Sequence, residues 1–252
     1  MTTWFADEAL LPHGWARNVR IDVDADGNFG DVRAGASAEG AERLSGPALP
    51  GMANLHSHAF QRAMAGLTEV RATPDDDFWT WRELMYQFVA RLTPAEAQAI
   101  ATHLYVEMLL HGYTAVAEFH YVHNHANGKP YADAAEMLLR HLAAARNSGI
   151  AITLLPALYS TSNFGGRPLQ PRQQRFATSP GSVLAMLERA RSAARADPDV
   201  KTGVAPHSLR AVDPGDLRRR LTGRAAGRLC RPGRVRAGES PTRYWSLGVW
   251  RI

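Results

Sequence analysis

Two periods of apolar and polar residues divide the chain. Over residues 1–48 the runs are short and alternate by two: Trp4-Phe5, then Asn18–Val23 with Val19, Ile21 and Val23 apolar, then the turn Asp24-Ala-Asp-Gly-Asn28. Gly35–Gly40 is a small, polar loop, and Leu44–Leu49 reads as another strand. Residues 1–50 are therefore expected to form a small β subdomain, incomplete in itself.

Longer elements follow from residue 51 to about 216. Asp75–Tyr86 reads as a helix starting near Asp77. Thr93-Pro-Ala-Glu96 is a helix start, with Thr as N-cap, Pro in the first helical position and Glu three residues on. Apolar Ile100, Leu104, Val106, Met108 and Leu109 carry that helix to His111, and Gly112 ends it. Tyr113–Phe119 is β-rich, Ala132–Asn147 is a helix closed by Gly149, and Ile150–Leu158 is a nearly all-apolar strand of the kind buried on both faces. Ser179-Pro180 caps a helix to about Ala194, Val200–His207 is a strand, and Asp213-Pro214 begins one more helix. Strict strand–helix alternation predicts an α/β fold with a parallel sheet, either an open doubly wound sheet or a (β/α)8 barrel. No Gly-x-Gly-x-x-Gly follows a strand, so the dinucleotide-binding version lacks its fingerprint.

The chemistry enters at Leu49-Pro-Gly-Met-Ala-Asn-Leu-His-Ser-His58. If the run after Pro50-Gly51 is a strand, His56 and His58 lie two apart on one face and converge on one point. Neutral imidazole is a preferred ligand for zinc and its neighbours. A histidine pair at the C-terminal end of a strand also fits the active face of a barrel.

Composition is ordinary for a globular protein: 252 residues, 45% hydrophobic and 21% charged. No apolar run reaches the roughly 20 residues that span a bilayer, and the N-terminus has neither basic nor apolar signal regions, so a cytoplasmic protein is expected. The one cysteine, Cys230, excludes an internal disulfide and a cysteine-based zinc site. The net charge of +5 is unevenly spread. Residues 215–252 hold ten Arg against Asp216 and Glu239, a sum of +8, which leaves −3 for the first 214 residues.

Pro-Gly-Met-x-Asn-x-His-x-His resembles the end of the first barrel strand in the amidohydrolase superfamily. Four segments narrow the resemblance: His56–Gly66, Phe78–Tyr86, Gly112–His123 and His207–Val212. In that order they are similar to the N-formimidoyl-L-glutamate deiminases, zinc amidohydrolases of histidine breakdown. The resemblance runs from about Trp4 to about Asp216. It implies a TIM-barrel hydrolase in which one divalent metal activates a water for attack on the formimidoyl carbon, leaving N-formyl-L-glutamate and ammonia. It maps two metal ligands onto His56 and His58, and substrate contacts onto Gln61, Arg82, Tyr121, His207 and Arg210. Zinc is the expected metal, with other divalent transition metals compatible. A small-molecule substrate, no nucleic-acid or membrane partner, and a homodimeric full-length enzyme are also implied. The residue types suit the substrate: glutamate carries two carboxylates, and guanidinium grips carboxylate in bidentate geometry.

Each position also has a plainer reading. Arg82 sits in an aromatic-rich helix and could merely stack; Tyr121 could pack, His207 cap a strand, and Gln61 face solvent. His120, His123 and His125 form a rival cluster, read here as loop or packing residues. Glu118 inside a buried strand suits a structural salt bridge or a supporting role behind the ligands, and Trp79 and Trp81 are core or site wall.

The chain departs from the family after His207. No further His follows, so the family's third and fourth metal ligands and its acid/base Glu have no counterpart. About four β/α units are present. Leu217–Arg236 is dominated by Arg, Gly, Leu and Ala without period, as in a GC-rich gene read out of frame. Residues 217–252 are therefore expected to be a non-native, disordered tail after a frameshift, and the chain alone to be poorly soluble and without turnover. Two other function classes remain at this stage: a deaminase or hydrolase of a different substrate, such as a guanine-like ring, and an inactive fragment binding nucleic acid through its basic tail.

Overall fold

A computed structural model describes residues 2–69, 73–213 and 215–216. The expected tail, residues 217–252, lies outside these described residues. The described chain forms two compact units, one of residues 2–53 with Gly112–Thr114, the other of Asn54–His111 with residues from Ala115 on.

In the first unit β1 (Thr2–Leu11) and β2 (Gly14–Val23) form an antiparallel hairpin, Leu11 facing Gly14. β3 (Phe29–Arg33) joins β2, and the short β4 (Glu42–Arg43) runs parallel to β1, giving the order β3-β2-β1-β4. The Asp24 carboxylate accepts the amides of Asp26 and Asn28 at 2.9 Å each, which closes the β2–β3 turn. Ala6, Ala9, Val19, Ile21 and Ala48 form the core. The expected strand at Leu44–Leu49 is not formed. Ser45-Gly46 bends the chain, Pro47 has no amide to donate, and one isolated bridge remains between Ala48 and Ala9.

The larger sheet has the order β5-β6-β7-β8, from β5 (Met52–Ser57), β6 (Tyr113–His120), β7 (Ala151–Leu158) and β8 (Val200–Thr202), with β9 (Ala205–Pro206) also pairing β7. β6, β7, β8 and β9 run parallel. The helices are α1 (Phe78–Val89), α2 (Pro94–Leu110), α3 (Glu136–Ser148) and α4 (Pro180–Ala193). Caps explain where three of them start. Asp77, Thr93 and Ser179 each accept the backbone amide three residues on, and each donates its own amide to that residue's side-chain oxygen. Gly149, at φ 84°, ends α3 in the left-handed conformation that glycine adopts freely.

Two expected elements change. The helix from Ala132 begins at Glu136 instead, because the Asp133 carboxylate takes the Ala135 amide and its carbonyl takes the Glu136 amide in a preceding turn. The strand Val200–His207 splits into β8 and β9. At Gly203 a β-carbon would stand 2.9 Å from Leu155 Cδ2, and its amide donates to Leu154 O, so the chain steps closely over β7 there. Asp213 heads the last described turn, its carboxylate accepting the amides of Gly215 and Asp216.

The face of α2 that turns inward is Ala97, Ala101, Tyr105 and Met108, while Val106 and Leu110 are exposed. Small residues let the helix approach closely, and Tyr105 is drawn in by a hydrogen bond to Glu118. His123 is fully buried, and its Nε2–H donates to Ala157 O at 3.0 Å. It follows β6 in irregular chain and shares no strand with His125, which stacks on Tyr131.

Burial holds His123 down to about 4, against 6.5 in an exposed imidazole, and lowers buried His120 and His141 in the same direction. The unfolded chain takes up these protons near pH 6.5; the folded chain resists them. The contribution of these histidines is therefore constant above that pH and is lost as pH drops from 6.5 toward 4, by about 3 kcal/mol for His123 alone. Urea midpoints measured at pH 7.5, 6 and 4.5 should fall in that order; equal midpoints would contradict it.

Candidate functional site

Five of the predicted residues sit at the C-terminal ends of parallel-sheet strands or just beyond them, where α/β folds place their chemistry. His56 is the penultimate residue of β5. Ser57 turns inward and is buried, and His58 precedes a 3-10 turn, Ala59–Met64, that carries Gln61. Tyr121 follows β6, and His207 follows β9. Asn54 holds the strand end by accepting the His56 amide at 3.1 Å.

The two imidazoles converge. Their Nε2 atoms are 2.9 Å apart and the rings meet edge to face. His58 Nδ1 lies 2.9 Å from Phe119 O. A carbonyl oxygen only accepts, so Nδ1 carries the proton and Nε2 presents a lone pair. Burial lowers the His58 pKa, partly offset by that carbonyl and by the charge of Glu118. This tautomer is what a metal needs from a histidine whose other nitrogen is held by the protein. Two ligands on one tetrahedral zinc at about 2.0–2.1 Å would stand a little over 3 Å apart, so the pair fits two coordination positions with minor adjustment. Among the described residues no group of three or more His, Cys, Asp or Glu is placed to hold a metal.

Around the pair is a floor of aromatic rings. Tyr121 lies edge-on to His58 and to His207, each at 5.1 Å, and Phe119 stacks on His56. Gln61 Nε2 donates to the Tyr121 hydroxyl at 3.0 Å. His207 also packs on Tyr159 at 4.7 Å. Burial, the nearby imidazoles and Arg210 hold its pKa down to about 4, so at neutral pH it is an uncharged hydrogen-bonding ring.

The guanidinium pair gathers at Trp79. Arg82 in α1 lies 4.4 Å over the Trp79 ring and 5.6 Å from Tyr86, and Arg210 lies 5.9 Å from the same indole. Arg82 Nε is buried with no hydrogen-bond partner among the described residues, an orphan donor. Both guanidiniums act on the Tyr159 phenol, which burial nonetheless pushes up to about 12. Trp79 is half exposed as the shared platform of both cations, so it is site wall; Trp81 packs against the core.

The sequence reading missed Tyr159 and Phe119. Tyr159 follows β7 as Tyr121 follows β6, so its place at a strand end was the available signal. Glu118 makes no salt bridge among the described residues: its oxygens accept from the Ala59 amide at 2.8 Å and the Tyr105 hydroxyl at 3.1 Å.

Residues 1–46 match the family described as formimidoylglutamate deiminase HutF, N-terminal domain, and residues 48–221 match the amidohydrolase family. The chain belongs to the amidohydrolase family. It is 51% identical over 250 residues to a formimidoylglutamate deiminase of Pseudomonas aeruginosa, an alignment covering 99% of this chain and 54% of that protein. An amidohydrolase of Brucella melitensis superposes with a TM-score of 0.83 at 44% identity, over 88% of this chain and 49% of the other. A zinc-complexed atrazine chlorohydrolase of Arthrobacter aurescens, 19% identical with a TM-score of 0.66, covers 85% of this chain and 48% of its own; it shares the fold. This amidohydrolase chain thus spans about half the length of the relatives it matches. The five-stranded sheet of β5 to β9 is accordingly part of a barrel sheet. Among the described residues, no helix is long and apolar enough to cross a membrane.

Replacing Gln61 by Leu should leave the buried Tyr121 hydroxyl unpaired and cost about 1–3 kcal/mol in urea unfolding. Gln61→Glu, which can accept from that hydroxyl, should restore most of it.

Proposed function

We propose that this chain carries the first metal ligands and the carboxylate-binding side of a formimidoylglutamate deiminase. The observation that carries the reading is the convergence of His56 and His58, Nε2 to Nε2 at 2.9 Å, in one unit with two guanidiniums gathered on one indole. The 51% identity to the Pseudomonas aeruginosa deiminase and the match of residues 1–46 to the N-terminal domain of such enzymes support the choice of substrate.

His56 and His58 would hold one divalent cation, zinc by donor type. Such a cation lowers the pKa of a bound water toward 7 and so supplies hydroxide at neutral pH. The chain's own residues bind and orient the substrate. Arg82 and Arg210 take the two carboxylates of N-formimidoyl-L-glutamate, with the orphan Arg82 Nε as a ready donor. The Gln61–Tyr121 pair offers neutral donors beside them. His207, uncharged at neutral pH, offers a hydrogen bond without repelling the cation. A neutral purine ring could stack on the aromatic floor but has no carboxylate for either guanidinium. Product formation would place the enzyme in histidine breakdown.

Further metal ligands and an acid/base carboxylate are not among the described residues of this site. The test is therefore complementation. The purified chain is mixed with a fragment of the Pseudomonas aeruginosa relative spanning the part that this chain does not cover, in the presence of zinc. Ammonia should be released from N-formimidoyl-L-glutamate and not from guanine. Release from guanine alone, or no release with either, would refute the assignment. In the complemented enzyme Arg82→Met and Arg210→Met should each raise KM about ten- to hundredfold with kcat little changed, as expected for one lost charged hydrogen bond worth about 1.5–3 kcal/mol.

A further inference from the structure

Glu118 is 1% exposed, in the middle of a parallel strand. A carboxylate there must find donors and a countercharge or carry a large desolvation cost. Its donors are neutral. Ala59 N–H donates to Oε1 at 2.8 Å and Tyr105 O–H to Oε2 at 3.1 Å. Behind Tyr105 stands His141 Nδ1 at 3.3 Å from the phenol oxygen, itself fully buried and uncharged at neutral pH. Burial and the Glu118 charge keep the Tyr105 phenol protonated as a donor. Among the described residues no Arg, Lys or His nitrogen lies within ion-pair distance of Glu118. Its charge acts on several neighbours, Tyr105, His141 and His58 among them.

The neighbouring residue completes the geometry. Phe119 O accepts His58 Nδ1–H, and Glu118 Oε1 accepts Ala59 N–H. Two consecutive residues of β6 thus grip two consecutive residues, His58 and Ala59, one through the imidazole ring and one through the backbone. The ring grip sets the tautomer, and the backbone grip sets the direction from which His58 enters the site.

We propose that Glu118 is a positioning residue for the His56–His58 metal pair: it pins the chain at Ala59 and supplies the buried negative charge that a divalent cation on the two imidazoles balances. The proposal rests on the reading of His56 and His58 as metal ligands. A merely structural Glu118 would need only its hydrogen bonds, which glutamine can largely reproduce. A countercharge is lost with glutamine even if every hydrogen bond survives.

The test is zinc titration of the full chain by calorimetry, comparing the parent with Glu118→Gln and Tyr105→Phe, with folding checked by circular dichroism. Glu118→Gln should weaken zinc binding about ten- to hundredfold. Tyr105→Phe removes one neutral donor and leaves the charge and the Ala59 grip, so its affinity should stay within about threefold of the parent. A folded Glu118→Gln that binds zinc as tightly as the parent overturns the proposal while leaving His56 and His58 as ligands. A parent that binds no zinc removes the ligand assignment and the role of Glu118 with it. Hydrogen exchange decides the matter even if Glu118→Gln fails to fold: in the parent the Ala59 amide should exchange slowly, and more slowly with zinc. An Ala59 amide exchanging at the free-peptide rate would overturn the grip.

Discussion

The site depends on one constraint, the hold of β6 on residues 58 and 59. An imidazole with a free ring has two tautomers and a rotating Cα–Cβ bond. The Phe119 carbonyl removes both freedoms for His58, and the Ala59–Glu118 bond fixes the backbone that carries it. His56 needs less help, because it is still part of β5 and the Asn54 side chain holds its amide. The pair thus has two kinds of support, sheet pairing for one ring and capture by β6 for the other. Strand alternation alone would place both rings on one face. It would not bring their Nε2 atoms to 2.9 Å.

Behind this face the interior is unusually polar and almost uncharged. His120, His123 and His141 are buried together, with rings 4.8 Å apart in two pairs, and His120 Nε2 and His123 Nδ1 are without partners among the described residues. Neutral imidazoles tolerate such burial far better than charged ones, which is why their pKa values fall. The buried cation is Arg175, on the 3-10 turn Pro171–Phe176, and it is met by carbonyls. Its guanidinium donates to Val89 O and Leu92 O at the C-terminal end of α1, where the helix leaves carbonyls unpaired and partly negative. This anchors the end of α1 opposite to Asp77 and so steadies the helix that presents Trp79 and Arg82.

What could be read in the sequence was local. Asp77, Thr93 and Ser179 announce their helices because a cap and its partner lie three residues apart. Gly149 marks a helix end for the same reason. His56 and His58 were legible because their spacing is the strand period. One failure is local and the others are long-range. Leu44–Leu49 has strand composition, yet Pro47 and a bend at Gly46 leave it one bridge. The break in Val200–His207 is set by Leu155, nearly fifty residues away, pressing on Gly203. Tyr105 entered the core in place of Val106 because Glu118 offered it an acceptor, which no apolar period encodes. Glu118 itself read as half of a salt bridge or as a support behind the ligands; its partners are Ala59 and Tyr105.

Charge gives the division of labour. At the candidate site two guanidiniums share Trp79, two imidazoles share a point, and one carboxylate lies behind them. Bringing like charges this close is unfavourable unless something negative comes between them. Among the described residues Arg82 and Arg210 meet aromatic faces, Trp79 for both and Tyr86 for Arg82, whose quadrupoles offset part of the repulsion. The remainder is available to whatever anion binds. A dicarboxylate can neutralise both guanidiniums at once, whereas a monocarboxylate leaves one exposed to the other. On the proposed reading, preference for a dicarboxylate would follow from the repulsion between the two arginines as much as from the attraction each offers. On the proposed reading the charge that Glu118 offsets is that of a cation held by the imidazoles, whereas the arginine side would take its negative charge from the bound ligand.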